Sequence, residues 1–405
     1  MRDAHGIGGG EGGAVARADR YGLLDAWRGL ACLMVVVHHA GYALSRSETP
    51  GSWGRWLAWY SARRMDLGVT LFFVISGYCI AASLESTIRR GQSPRAFLGR
   101  RAWRIYPPYW AAVFGFAVLV SALDAAGLGR LYSGPLGVPL DPVWALDWRQ
   151  WVGNLTLTET WRPRVWGPGR NVYTAVAWSL CFEEQFYLVA LAAMCLAPRR
   201  VALALAGVTA AVAAVRGLAW WSGRLCELRG TFPLLWHEFA VGLAVYYRLN
   251  NGKGFWERRL IEAGLVALAG LGLATGGRNT AAAAAFGLVL VALRRWDAPA
   301  EGLNWLKPLR GCGRRCYSIY LVHLPVGVVG NQWLHERGVT GFWAKVFVML
   351  PLVSAAGVAS GWAFHALVER HVLSPPTLTS VGLSSRLGRR RGSRLAGRPA
   401  GFDAG

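Results

Sequence analysis

Residues 23–40 read LLDAWRGLACLMVVVHHA, an apolar run that nevertheless carries Asp25, Arg28, His38 and His39. Ionisable groups in such a run are costly, and they are retained where they face the interior of a helix bundle or a wet cavity. The rest of the chain points the same way. It is 54% hydrophobic and 16% charged over 405 residues, where an ordinary soluble domain carries about 25% charged residues. A bilayer-spanning helix needs about 20 mostly apolar residues, and ten stretches approach that length: 23–44, 66–88, 105–124, 172–197, 201–221, 231–249, 260–275, 279–294, 313–334 and 342–369. The expectation is an all-α, polytopic membrane protein with about ten transmembrane helices.

The formal net charge of +22 invites a nucleic-acid partner, but apolar runs separate the basic clusters and no groove-reading motif is present. No nucleic-acid role is expected. Basic residues are instead retained on the cytoplasmic side of a membrane protein. With both termini cytoplasmic, 28 of the 44 Lys and Arg fall inside and 14 outside, and Arg28 and Arg216 lie within spans. The Gly-rich leader 1–20 and the Arg-rich tail 375–405 read as disordered cytoplasmic segments around one transmembrane domain, 21–374. Seven Cys, several inside apolar runs, are not a secreted disulfide framework. Cys312 and Cys316 lack the His or second Cys pair a zinc site needs, so no metal is expected.

Arg28 and His39 are eleven residues apart, about three helical turns, so they point to nearly one face roughly 16 Å apart along the axis. They mark two levels of one channel, and Asp25 stands where it can pair with Arg28. A packed, hydrogen-bonded structural histidine is the plainer alternative for His39. In AWSLCFEEQFYLVAL (177–191), Glu183 and Glu184 point about 100° apart, so at most one shares a cavity with His39; a clamp between helices is the alternative. In GRRAWRIYPPYW (99–110), Arg101 and Arg104 share a face at the cytoplasmic boundary, as a bidentate phosphate site or as a collar for lipid headgroups. CGRRCYSIYLVHLPV (312–326) sets Tyr320 and His323 on one face, with Ser318 less closely aligned. His365 and Glu369 read as a structural clamp, and Asp66 and Ser76 are further cavity candidates. The Trp-rich stretch 125–171 reads as interfacial anchors, or as a lid or acceptor-binding loop.

Taken together these blocks resemble the integral-membrane acyltransferase family 3. LDAWRGLACLMVVVHHA is similar to its first helix with an R-x10-H motif, and RMDLGVTLFFVISGYCI to its GVDLFFVISGF helix. GRRAWRIYPPYW, WSLCFEEQFYL, YSIYLVH and ALVERHV follow in family order. The resemblance implies a bacterial, multi-pass cytoplasmic-membrane enzyme that moves an acyl group from acyl-CoA, usually acetyl-CoA, to a hydroxyl of a glycan or macrolide-like acceptor. It implies His39 as the essential histidine, with Arg28, Arg101 and Arg104 assisting donor binding. His39 would act as base or as transient acyl carrier, with Glu184 or Glu183 supporting its imidazolium. Thr70 stands where the family usually has Asp, with Asp66 one turn earlier, and His371 replaces a closing Pro. The family's common C-terminal hydrolase-like extension is expected to be absent. The rival reading is a transporter or flippase that uses the buried charges as a proton relay.

Overall fold

The computed structural model describes residues 21–45, 51–134, 136, 141–252 and 254–373, so the expected leader and tail lie outside the described residues. Each of the ten apolar stretches overlaps a long helix: α1 (Leu24–Ala40), α2 (Leu67–Arg89), α3 (Pro94–Ala125), α4 (Ala177–Leu196), α5 (Val201–Trp221), α6 (Trp236–Asn250), α7 (Phe255–Ala274), α8 (Arg278–Leu293), α9 (Cys316–Glu336) and α10 (Phe342–Val372). No strand occurs among the described residues.

Among the described residues, five helical stretches are long and apolar enough to cross a bilayer: Trp53–Arg89, Pro94–Ala125, Ala177–Leu196, Pro198–Trp221 and Phe342–Val372. The other five are helices of a different kind. α1, α6 and α8 have 17, 15 and 16 residues, which at 1.5 Å per residue is about 22–26 Å. α7 opens with the charged run Glu257, Arg258, Arg259, and α9 carries His323, Asn331 and Gln332.

α1 is the central element. Its buried residues Leu24, Ala26, Gly29, Ala31, Cys32, Val35, Val36 and Ala40 run most of its length, because α2, α9, α10 and the short helix Lys307–Arg314 all pack on it. Glycines set the closest of these approaches. A Cβ on Gly313 would overlap the Asp25 carbonyl oxygen, and one on Gly29 the Leu309 carbonyl oxygen. α2 and α6 cross in the same way, where a Cβ on Gly77 would overlap the Phe239 carbonyl and one on Gly242 the Val74 carbonyl. In lipid, where burial supplies no drive between helices, such small-residue contacts let backbones pack tightly. Beside this crossing Phe186 stacks on Phe239 at 4.8 Å, with Phe73 and Trp236 edge-on to Phe186 at 5.5 and 5.8 Å. α5 and α7 sit outermost, and most of their apolar side chains are exposed.

The described residues between α3 and α4 form a folded unit fastened to α3, and Trp144, Trp148 and Trp166 stay exposed on it. Tyr109 and Trp110 donate to the carbonyls of Asn154 and Leu155 at 2.9 and 2.8 Å. A capping box of Asp147 and Gln150 starts its helix Trp148–Leu155. Buried Arg162 and Glu159 form a two-bonded ion pair at 2.7 and 2.9 Å, and the hydrogen bonds to Glu159 raise the Arg162 pKa, keeping it charged.

Substituting Gly242 by Leu should therefore lower the melting temperature of the detergent-purified protein or abolish a monodisperse peak, since overpacking costs about 1–3 kcal/mol or more. Gly264→Ala on α7, where no atom lies within 4 Å of the new Cβ, should leave melting unchanged. Equal melting of the two variants would refute the close α2–α6 crossing.

Candidate active site

Three arginines from two helices meet in one cavity. Arg28 of α1 and Arg101 and Arg104 of α3 line a narrow space of about 120 Å³, with Ser76 and Cys79 of α2, Glu183 and Tyr187 of α4, and Cys316 and Tyr320 of α9. The shared faces expected from sequence are therefore turned to one another. Arg101 and Arg104 lie about two and three turns inside α3.

Each guanidinium has a different setting. Arg28 is held by Asp25 at 3.3 Å and donates to the Cys79 sulfur at 2.9 Å. Arg101 lies over the Tyr187 ring, 5.4 Å from its centroid. Arg104 is exposed and makes no ion pair among the described residues. The one carboxylate in the cavity, Glu183, is already engaged, accepting from Ser76 Oγ at 2.7 Å and from the Tyr187 hydroxyl. The cavity thus holds three guanidinium groups against one carboxylate whose Oε1 already accepts two hydrogen bonds, and the excess of positive charge suits phosphate.

His39 does not line this cavity. Its Nδ1 lies 3.0 Å from the Val35 carbonyl oxygen and 3.0 Å from Nε2 of His323. His323 is fully enclosed in α9, with Nδ1 3.0 Å from the Ile319 and 2.9 Å from the Tyr320 carbonyl oxygen. Phe72 and Tyr320 line the cavity with rings 6.0 Å apart, and Tyr320 is also 5.8 Å from the His323 ring. Tyr320 is pinned through its hydroxyl to Ser179 Oγ at 2.6 Å and the Val176 carbonyl at 2.9 Å.

Several expected placements are corrected. Neither Glu183 nor Glu184 touches His39: Glu183 turns to Ser76, and Glu184, on the adjacent face of α4, stays outside the cavity lining. Their place beside His39 is taken by His323, brought there by the packing of α9 on α1. Asp66 is no cavity residue either, since it precedes the first residue of α2 and pairs with Arg278. Asp25 acts on the cavity only through Arg28. The expected clamp of His365 and Glu369 forms at 2.9 Å and gains Ser318, which donates to the same carboxylate. Sequence reasoning missed Cys79, Cys316 and Tyr187 in the cavity. The i, i+3 spacing of Ser76 and Cys79 was the available signal.

Among the seven cysteines, only Cys79 and Cys316 line the cavity, while Cys32 and Cys181 are buried. In a Cys195→Ser/Cys226→Ser background, a small charged thiol reagent should label Cys79 and Cys316 well before Cys32 and Cys181. Equal labelling rates would mean that the cavity is closed to water.

The family model described as an acyltransferase domain matches residues 21–365. A protein of Komagataeibacter xylinus named as a membrane-bound transacylase, BcsY, is 28% identical over 381 residues, covering 90% of this chain and 86% of that protein. Protein 2 in the picA locus of Rhizobium radiobacter is 32% identical over 124 residues, covering 30% of this chain and 53% of that protein. No solved structure matches.

Proposed function

The chain belongs to the acyltransferase family whose domain spans residues 21–365, and from that premise we propose that it moves an acyl group, in the first instance acetyl, from acyl-CoA to a hydroxyl of a glycan or macrolide-like acceptor. The observation that carries this reading is the convergence of Arg28, Arg101 and Arg104 on one narrow cavity that ends at Tyr320, less than a helical turn from His323 and its partner His39. In the ten-span arrangement with cytoplasmic termini, the cavity mouth faces the cytoplasm of a bacterial cell, where acyl-CoA is made.

The donor's phosphates pair with Arg101 and the unpaired Arg104 at the mouth. The nucleotide stays at this mouth, and the slender pantetheine arm enters the cavity. That arm passes Arg28 and carries the thioester between Phe72 and Tyr320 towards His39. There His39 takes the acceptor's hydroxyl proton as its oxygen bonds to the acyl carbon. The carbon–sulfur bond breaks, and the departing thiolate recovers the proton from the imidazolium, leaving ester and free CoA.

Two measurements test the division of labour. Arg104→Ala should raise KM for acyl-CoA about tenfold or more, with KM for the acceptor little changed; equal rises would favour a headgroup collar. His39→Ala should lower kcat by about 10²–10⁴-fold and leave CoA binding intact. Wild-type transfer by that variant would remove His39 from the chemistry.

A further inference from the structure

We infer that His323 is the positioning residue that fixes the tautomer of His39, so that His39 meets the acceptor with the lone pair of Nε2. This rests on the reading of His39 as the base. A neutral imidazole carries one proton, and the hydrogen bond made by one nitrogen decides the role of the other. His323 Nδ1 faces two carbonyl oxygens, those of Ile319 at 3.0 Å and Tyr320 at 2.9 Å. Carbonyl oxygens only accept, so that nitrogen must hold the proton; the other tautomer would set a bare lone pair against two oxygens.

His323 Nε2 is therefore an acceptor, and the atom 3.0 Å from it is His39 Nδ1. That nitrogen must be the donor, and it also lies 3.0 Å from a second acceptor, the Val35 carbonyl. Both neighbours of His39 Nδ1 thus demand a proton there. Its single proton is placed, and Nε2 is left bare. No hydrogen bond occupies His39 Nε2 among the described residues, and it is not among the sealed, unpartnered polar atoms. The base is thus aimed outward, with its proton-bearing side anchored in α9 and in its own helix.

The arrangement does the work a carboxylate does behind the histidine of an acyl-transfer triad, where the wrong tautomer alone costs about 10⁴-fold in kcat. A neutral acceptor orients the ring without a buried charge, which would be expensive here. When Nε2 takes the acceptor proton, the Nδ1–H···Nε2 bond becomes charge-assisted and strengthens. No proton needs to leave His39 through His323, because the departing thiolate takes it from Nε2.

The decisive readout is the protonation pattern itself. In protein labelled with ¹⁵N-histidine, with the His39 signals assigned by their loss in His39→Asn, the inference requires Nδ1–H for both His39 and His323. An Nε2–H form of either residue in the resting enzyme overturns it, and this measurement needs no variant of His323 to fold. The kinetic counterpart compares two substitutions. His323→Leu, which offers no acceptor, should lower kcat about 10²–10³-fold with KM for acyl-CoA and the CoA dissociation constant unchanged. His323→Gln, which has both a donor and an acceptor, should recover to within about tenfold of wild type. Equal losses in Leu and Gln variants of wild-type melting temperature, or no loss in Leu, overturn the positioning role. An inactive His39→Ala beside a fully active His323→Leu would refute only this inference, whereas an active His39→Ala would refute the site assignment beneath it.

Discussion

A polar group withdrawn from water must find a partner, and along α1 that requirement arises twice on one face. At the first level the Arg28 guanidinium finds Asp25 and the Cys79 sulfur. Three turns on, His39 finds the Val35 carbonyl and His323. A hydrogen bond contributes only about 0.5–1.5 kcal/mol net, whereas a buried group left without one costs about 1–3 kcal/mol. The asymmetry matters more than the gain: α2 and α9 can pack on this face of α1 only in a register that presents Cys79 and His323. α2 reaches α1 closely at Gly68, where a Cβ would overlap the Ala31 carbonyl oxygen, and the short helix Lys307–Arg314 does so at Gly313 against Asp25.

How much of this was legible in the sequence follows from how local each feature is. The helices were readable because each is announced by its own apolar run, and the shared face of Arg28 and His39 because helical periodicity acts within one element. The Arg28–Asp25 and His365–Glu369 pairs are three and four residues apart and were expected. The partner of His39 was not, because His323 lies 284 residues away and only packing joins them. Adjacent Glu183 and Glu184 show the same limit. Their 100° separation says that one faces a cavity, but the choice is made by Ser76 and Tyr187, on α2 and one turn along α4. Asp66 misleads for a related reason: the residue that engages it, Arg278, begins a helix far along the chain. The family resemblance supplied what periodicity did not, namely which polar residues to regard together, but it carried no information about His323 as a partner rather than as a cavity wall.

The split into two levels also constrains what the protein can accept. The arginine cavity and the histidine pair lie about 16 Å apart along α1 by helical rise, with Phe72 and Tyr320 lining the cavity. A compact donor, with anionic and reactive groups close together, would fill one level and miss the other. A donor with a slender, neutral arm between its phosphates and its reactive carbon spans both, which is the architecture of an acyl-CoA. In the proposed reading the arm passes this aromatic pair, whose two members are not equally free. Tyr320 is held by hydrogen bonds to Ser179 and to the Val176 carbonyl, and its own carbonyl accepts from His323. Moving Tyr320 would break these bonds and disturb the very ring that orients His39. Phe72 has no polar tie and is only partly buried, so its side chain can swing at the cost of dispersion contacts alone. In the proposed reading, passage of the donor and alignment of the base thus fall to different residues on different helices, and the first can occur without undoing the second.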